Sequence, residues 1–385
     1  MKFDRRGGFV RRLVFGAAAL LVVGCATAGA RSSSSPRRAR AASKRSAAPS
    51  APVRAPVQAP GWRVATLEHV DLWLHGFALL TSDTGGVPFF ARGYKQEITA
   101  LKKQRSLFTQ LDANQPNLSA RFATNPQLAN AQFIAMYFTS FQEIINATDL
   151  FFRSEGNPRA ARDPQMQQEI ALLASNFPQQ ADRNWLRLFV QSLEDENTRF
   201  FHAYWTAEQQ SRGAALAAVN EQWASQYYPK LSRFLNNTQQ GAGQFVLSIP
   251  LGGEGRTVND GKQSNIIAVD FPRTAAAAPE ALFAFVHEAV ARLVDEAITD
   301  NSTPAEQRSG ATAGYTGNGA VRAGALLVQK IAPALVPDYM RYYLRARGAA
   351  APAGDPTAAF AAAFPLPAAI ITAVSKQIDI VLGGI

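Results

Sequence analysis

The chain of 385 residues contains 47% hydrophobic residues, which is enough for a substantial core and excludes disorder throughout. Its formal charge of +10 is unevenly placed: residues 1–60 hold twelve of the 39 basic residues and one of the 29 acidic ones, so residues 61–385 carry 27 basic against 28 acidic residues, a net charge of −1. A neutral folded part lacks the basic surface that DNA or RNA requires, and we therefore expect no nucleic-acid partner.

The first 24 residues have the order of an export signal, with a basic segment through Arg12, an apolar run over Leu13–Val23 and then small residues. The run is too short for a permanent membrane span, although a retained anchor stays open. Val22-Val23-Gly24 before Cys25, the single cysteine, resembles a bacterial lipobox and predicts lipidation of Cys25. Cleavage after Ala30, at an A-x-A site, would instead give a secreted or periplasmic protein. We expect a membrane-anchored lipoprotein of the bacterial cell envelope.

Residues 25–60 are mostly Ser, Ala, Pro and Arg, a composition that buries too little apolar surface to fold. This segment predicts a disordered basic tether. Its pairs Arg37-Arg38 and Lys44-Arg45 could attract anionic headgroups, and a plain soluble linker is the alternative.

Helical periodicity dominates residues 61–240. The segment from Glu68 to Leu80 divides as a helix into an apolar face and a polar face that carries Glu68, Asp71 and His75. A solvated polar face is the usual interpretation. Because Asp71 and His75 are four residues apart, they could also share a metal ion, and the helix could pack against a second site and supply its ligands.

Residues 241–346 begin with two short segments rich in β-branched residues, Gln244–Ile249 and Asn265–Phe271, which predict strands. The glycine-rich stretch between them lacks the Gly-Lys-Ser/Thr order of a phosphate-binding loop and indicates a hairpin connection. Helices follow from Pro279, Asn318 and Asp338, and an Ala/Pro linker and a terminal helix occupy residues 347–385. The predicted fold class is α+β, mostly helical, with a small antiparallel hairpin or sheet.

The predicted helix after the second strand carries a shortened zinc motif. His287-Glu288 begins a His-Glu-x-x-His sequence, but Ala291 occupies the position of the second histidine. On a helical wheel His287, Ala291 and Val294 form one strip, with Asp295 on its flank. A buried histidine with satisfied hydrogen bonds is the common alternative to a metal ligand.

With a strand before this helix and a helix after it, residues 243–345 resemble the zincin metallopeptidases, in the branch whose third ligand is a glutamate. The resemblance implies that His287 is the first zinc ligand and Glu288 the general base. Ala291 departs from the pattern at the second ligand. The helix that would carry the third ligand has only one charged residue within Asn318–Ala325, Arg322, which we expect to pair with Glu288.

Three functions follow. The first is an exported envelope protein with a degenerate zincin-like domain, no expected cofactor and a binding, scaffolding or pseudo-peptidase role, with the membrane and an envelope protein or peptide as partners. The second is an active zinc metallopeptidase that recruits further ligands from Asp71, His75 or Asp295. The third is a structural envelope protein in which the His-Glu pair is coincidental. Catalytic zinc normally has three protein ligands, so metal content separates the first two.

Overall fold

A short mixed sheet connects the start of the folded chain to its middle. The computed structural model describes residues 61–81, 86–259 and 264–383; the predicted signal peptide, Cys25 and the tether lie outside the described residues. Within them the strands are β1 (Trp62–Ala65), β2 (Gly243–Ser248), β3 (Arg256–Asn259) and β4 (Asn265–Asp270). Their order is β1-β2-β4-β3, with β1–β2 and β2–β4 parallel and β3–β4 antiparallel.

Both predicted strands are present, as β2 and β4, but they pair in parallel rather than as an antiparallel hairpin. The short strand β3 lies in the glycine-rich connection and forms the hairpin with β4 instead. Both β2 and β4 are buried over most of their length. Continuous apolar runs of this kind are typical of parallel strands that are covered on both faces.

Helices make up most of the described chain, which confirms the α+β, mostly helical fold class. The helices are α1 (Glu68–Leu80), α2 (Tyr94–Gln104), α3 (Gln110–Thr124), α4 (Phe141–Arg153), α5 (Pro164–Asn176), α6 (Gln180–Glu196), α7 (His202–Ser211), α8 (Gly213–Gln222), α9 (Tyr228–Asn237), α10 (Ala278–Asn301), α11 (Pro304–Ser309), α12 (Ala311–Ile331), α13 (Val336–Arg347), α14 (Thr357–Ala363) and α15 (Ala368–Gly383). A 3₁₀ segment, Pro126–Tyr137, precedes α4, and π-helical turns at Asn197–Phe201 and Trp223–Tyr227 join α6 to α7 and α8 to α9.

The long helix α10 follows β4 after a 3₁₀ turn and packs against β4, α8, α12 and α15. Aromatic rings fix it to the sheet: the ring of Phe285 lies 5.1 Å from Trp62, 4.6 Å from Trp223 and 4.7 Å from Phe245, centroid to centroid. Edge-to-face and tilted ring contacts at these distances add to the burial of the rings themselves. The helix with the His-Glu pair is therefore fixed in the core.

The C-terminal helix α15 buries Ile370, Val374 and Ile378. No single helix in the described residues is long and apolar enough to cross a membrane. Taken together, α14 and α15 have the length and apolar composition of a membrane span, but an angle of 112° separates the two helices.

Candidate functional site: the His-Glu pair of α10

His287 and Glu288 lie near the middle of α10, and both side chains are buried, with exposed fractions of 1% and 7%. His287 Nδ1 lies 3.0 Å from Glu288 Oε1, and the hydroxyl of Thr257 donates to Glu288 Oε2 over 2.9 Å. Both oxygens of the carboxylate are thus engaged by neighbouring side chains. Thr257 belongs to β3, so the small hairpin holds the glutamate from outside the helix.

The face of the His287 ring is also covered. It stacks on Tyr343 of α13, with ring centroids 5.6 Å apart and an interplanar angle of 26°. The hydroxyl of Tyr343 is within 3.3 Å of the backbone carbonyls of Gly253 and Phe283, which fixes the tyrosine in turn. The imidazole is therefore held at one nitrogen and on one face.

One glycine of the connection permits this arrangement. A Cβ atom at Gly255 would lie 2.7 Å from the carbonyl oxygen of Ala268 and 2.8 Å from Cγ of Glu288. Neither distance leaves room for a side chain, so glycine lets the start of β3 approach both β4 and the glutamate. At this position the glycine-rich connection therefore serves close backbone packing.

Arg322 lies on α12, where the sequence predicted a partner for Glu288, but its guanidinium is over the ring of Phe360, with 5.7 Å between Cζ and the ring centroid. Partial burial lowers its pKa from the ordinary value. Within the described chain Arg322 forms no ion pair with Glu288, so the two residues do not make the contact expected from the sequence.

The helix α1 is buried on both of its faces, so the prediction of a solvated polar face is wrong. Asp71 and His75 have exposed fractions of 0%. Asp71 Oδ2 accepts a hydrogen bond from the indole of Trp205 over 2.9 Å. Burial raises the pKa of Asp71 to about 7, although the Ser248 hydroxyl and the Trp205 indole act against this rise.

His75 belongs to a buried polar network with α2 and α6. Its Nδ1 lies 2.8 Å from the hydroxyl of Tyr94 and its Nε2 lies 3.0 Å from Glu196 Oε1. The ammonium of Lys102 donates to both oxygens of Glu196, over 3.1 and 2.9 Å, and Thr109 donates to Oε2. Burial acts to raise the pKa of Glu196, but His75 and Lys102 outweigh it and lower the pKa to about 2.

The structure thus brings His287 and Glu288 together and places Asp71 and His75 in other contacts. Asp295, also on α10, is partly exposed. In the described residues no group of three or more His, Cys, Asp or Glu side chains is arranged to hold a metal ion. Sequence reasoning missed Thr257 and Tyr343, because nothing in the local pattern of either residue marks a contact with a distant helix.

Comparison with protein-family models, with curated proteins and with solved structures gives no match for this chain.

Proposed function

We propose that this protein is an exported, lipid-anchored envelope protein whose zincin-like region has a binding or scaffolding role, with His287 and Glu288 acting as a structural pair. The observation that carries the proposal is the engagement of Glu288, which lies 3.0 Å from His287 and accepts from Thr257. A general base of a metallopeptidase must be placed to take a proton from metal-bound water. A carboxylate held at both oxygens inside the core serves packing better than proton transfer.

The order of elements supports the zincin-like comparison. β4 leads through a 3₁₀ turn into α10, and α12 packs along α10. The side chains at the corresponding positions, Ala291 and Arg322, contain no carboxylate or imidazole. A pseudo-peptidase is expected to retain the order of strand and helices while other residues replace its metal ligands.

The first experiment measures zinc content and stability together. We expect the full chain, purified in detergent and dialysed against buffered zinc, to retain no stoichiometric metal, and His287→Ala to leave this unchanged. The same variant should lower the free energy of unfolding by about 2–4 kcal/mol, because it leaves a cavity and a buried carboxylate without its partner.

Two variants make the result specific. Glu288→Gln preserves the shape of the side chain and an acceptor for Thr257. It should therefore lower the free energy of unfolding by less than His287→Ala does. His202→Ala is the control, because it removes an exposed imidazole that lies 2.7 Å from Glu68. Such surface pairs contribute little to stability, so this variant should change the free energy of unfolding only slightly. About one equivalent of zinc that disappears in His287→Ala would refute the structural role and support a metallopeptidase.

A further inference from the structure

The end of α2 displays a large apolar side chain beside two free cations. Phe108 is 65% exposed, the highest value among the large hydrophobic residues of the described chain, and Tyr137 follows at 44%. Lys103 and Arg105 are exposed a few residues before it. Neither forms an ion pair within the described residues. The loop therefore combines an exposed apolar ring with positive charge, the two features that strengthen binding to a membrane interface.

The loop that carries Phe108 is held at both ends. The amide of Leu107 donates to the carbonyl of Lys102 over 2.9 Å, and Ser106 has a left-handed φ of 53°. After the loop, Thr109 caps α3 together with Asp112. The fixed backbone directs Phe108 away from the core and keeps its position defined.

Carboxylates close to the loop are already engaged. Asp112 lies 2.6 Å from the ammonium of Lys102, and Asp195 lies 3.6 Å from Arg199. The loop itself, from Lys103 to Phe108, contains no acidic residue. The loop itself therefore carries two exposed cations and no acidic residue, and this positive charge attracts an anionic partner.

We propose that residues 103–108 form a second contact with the membrane, in which Lys103 and Arg105 bind anionic phospholipid headgroups and Phe108 enters the interfacial region. This inference rests on the proposed lipid anchor at Cys25. A bilayer fits better than a soluble anionic polymer because it alone offers an apolar interior to the ring. The predicted tether, residues 25–60, lies outside the described residues; by its length it would let the folded part turn until this loop faces the surface.

The test places a polarity-sensitive fluorophore on the loop of the full chain. F108C is labelled in a Cys25→Ser background and mixed with vesicles of phosphatidylcholine alone or of equal parts phosphatidylcholine and phosphatidylglycerol. Co-sedimentation of the labelled chain measures whether its apolar segment Leu13–Val23 holds it on the vesicle, and the same assay on the chain with Cys25 intact tests the proposed lipid anchor. The emission spectrum separately measures whether the loop enters the bilayer.

We expect a blue shift with anionic vesicles only, and its loss when K103E and R105E are added. The matched control is N146C, an exposed position on α4, which should give no shift. Sedimentation of the labelled chain without a shift at position 108 would overturn this inference and leave the proposed anchor untouched, whereas failure of the chain with Cys25 intact to sediment would count against the proposed membrane attachment as well. An equal shift with dextran sulfate in solution would identify an anionic polymer as the partner and refute the bilayer contact.

Discussion

Three carboxyl groups of the protein fall into two opposite electrostatic environments. Burial of Asp71 raises its pKa to about 7, and desolvation raises that of Asp270, at the end of β4, to the same value. Glu196 is buried as well, yet His75 and Lys102 hold its pKa near 2. Each pKa shift makes stability depend on pH, and the sign follows from which state binds the proton more tightly.

Asp71→Asn should stabilise the protein at alkaline pH. The folded pKa of about 7 lies above the ordinary 3.8, so the contribution of Asp71 to stability is fully present below pH 4 and is lost as pH rises through 7. Asparagine keeps an acceptor for Trp205 and removes the ionised form. We expect a gain of about 1–3 kcal/mol in the free energy of unfolding at pH 8 and little change at pH 4.

Urea unfolding at several pH values measures this effect. Asp149→Asn, which alters an exposed carboxylate on α4 at the limit of ion-pair distance from Arg153, is the control and should show no comparable pH dependence. Destabilisation by Asp71→Asn at pH 8 would mean that the ionised carboxylate is needed in the folded state.

The sequence allowed the His-Glu pair to be singled out but not its surroundings. Adjacent residues on one helix share a neighbourhood by necessity, and so His287 and Glu288 could be predicted as a unit. Asp71 and His75 looked like members of a solvated face because helical periodicity separates polar from apolar sides. Only the packing of other elements around α1 shows that the polar groups on this face bind polar groups elsewhere in the chain, such as Tyr94 of α2 and Glu196 of α6.

At the scale of elements, α10 and α12 approach closely because small residues line their contact. A Cβ at Gly319 would lie 2.5 Å from Cγ1 of Val294 on α10. A Cβ atom at Gly324 would lie 2.1 Å from the hydroxyl oxygen of Tyr339 and would collide with it. That hydroxyl donates to the carbonyl of Val321 over 2.9 Å. Gly319 thus lets α12 approach α10, and Gly324 lets Tyr339 of α13 approach α12.

Gly324→Ala should therefore destabilise the protein although alanine favours helices. We expect a loss of about 1–3 kcal/mol from displacing Tyr339 in a packed core. Gly314→Ala in the same helix meets nothing within 4 Å and should instead stabilise by about 0.5–1 kcal/mol through helix propensity. Thermal unfolding of both variants measures this difference in stability. Equal effects at the two positions would show that contact with Tyr339 does not exclude a side chain at position 324.

Element type was more predictable than element pairing. Apolar runs located β2 and β4 to within a residue or two, because continuous burial leaves its mark on composition. The parallel pairing was missed because β3, with only Val258 buried among its four residues, carries a weak strand signal. β1 was missed for a similar reason, since four residues are too few to show alternation.

At the scale of the whole molecule, β1 closes the fold. It pairs with β2 across a helical insertion of more than 170 residues, and the described residues belong to one compact unit, Pro60–Ile385. Trp62 anchors the strand: its indole donates to the carbonyl of Gln240 over 2.7 Å, and its ring contacts Phe285 of α10. The residue that begins the folded part thus touches the helix with the His-Glu pair.

Trp62→Ala should weaken the entire fold rather than one edge. Loss of a buried indole and its hydrogen bond predicts a decrease of about 3–5 kcal/mol in the free energy of unfolding, while Arg63→Ala, exposed on the same strand, should change it by less than about 0.5 kcal/mol. If the unit is cooperative, far-UV and near-UV circular dichroism will follow one urea transition in the variant, shifted to lower concentration. An early partial transition, with the remainder unfolding like the wild type, would instead mean that β1 docks onto a core that is stable without it, and that β4, α8, α12 and α15 hold α10 in place without β1.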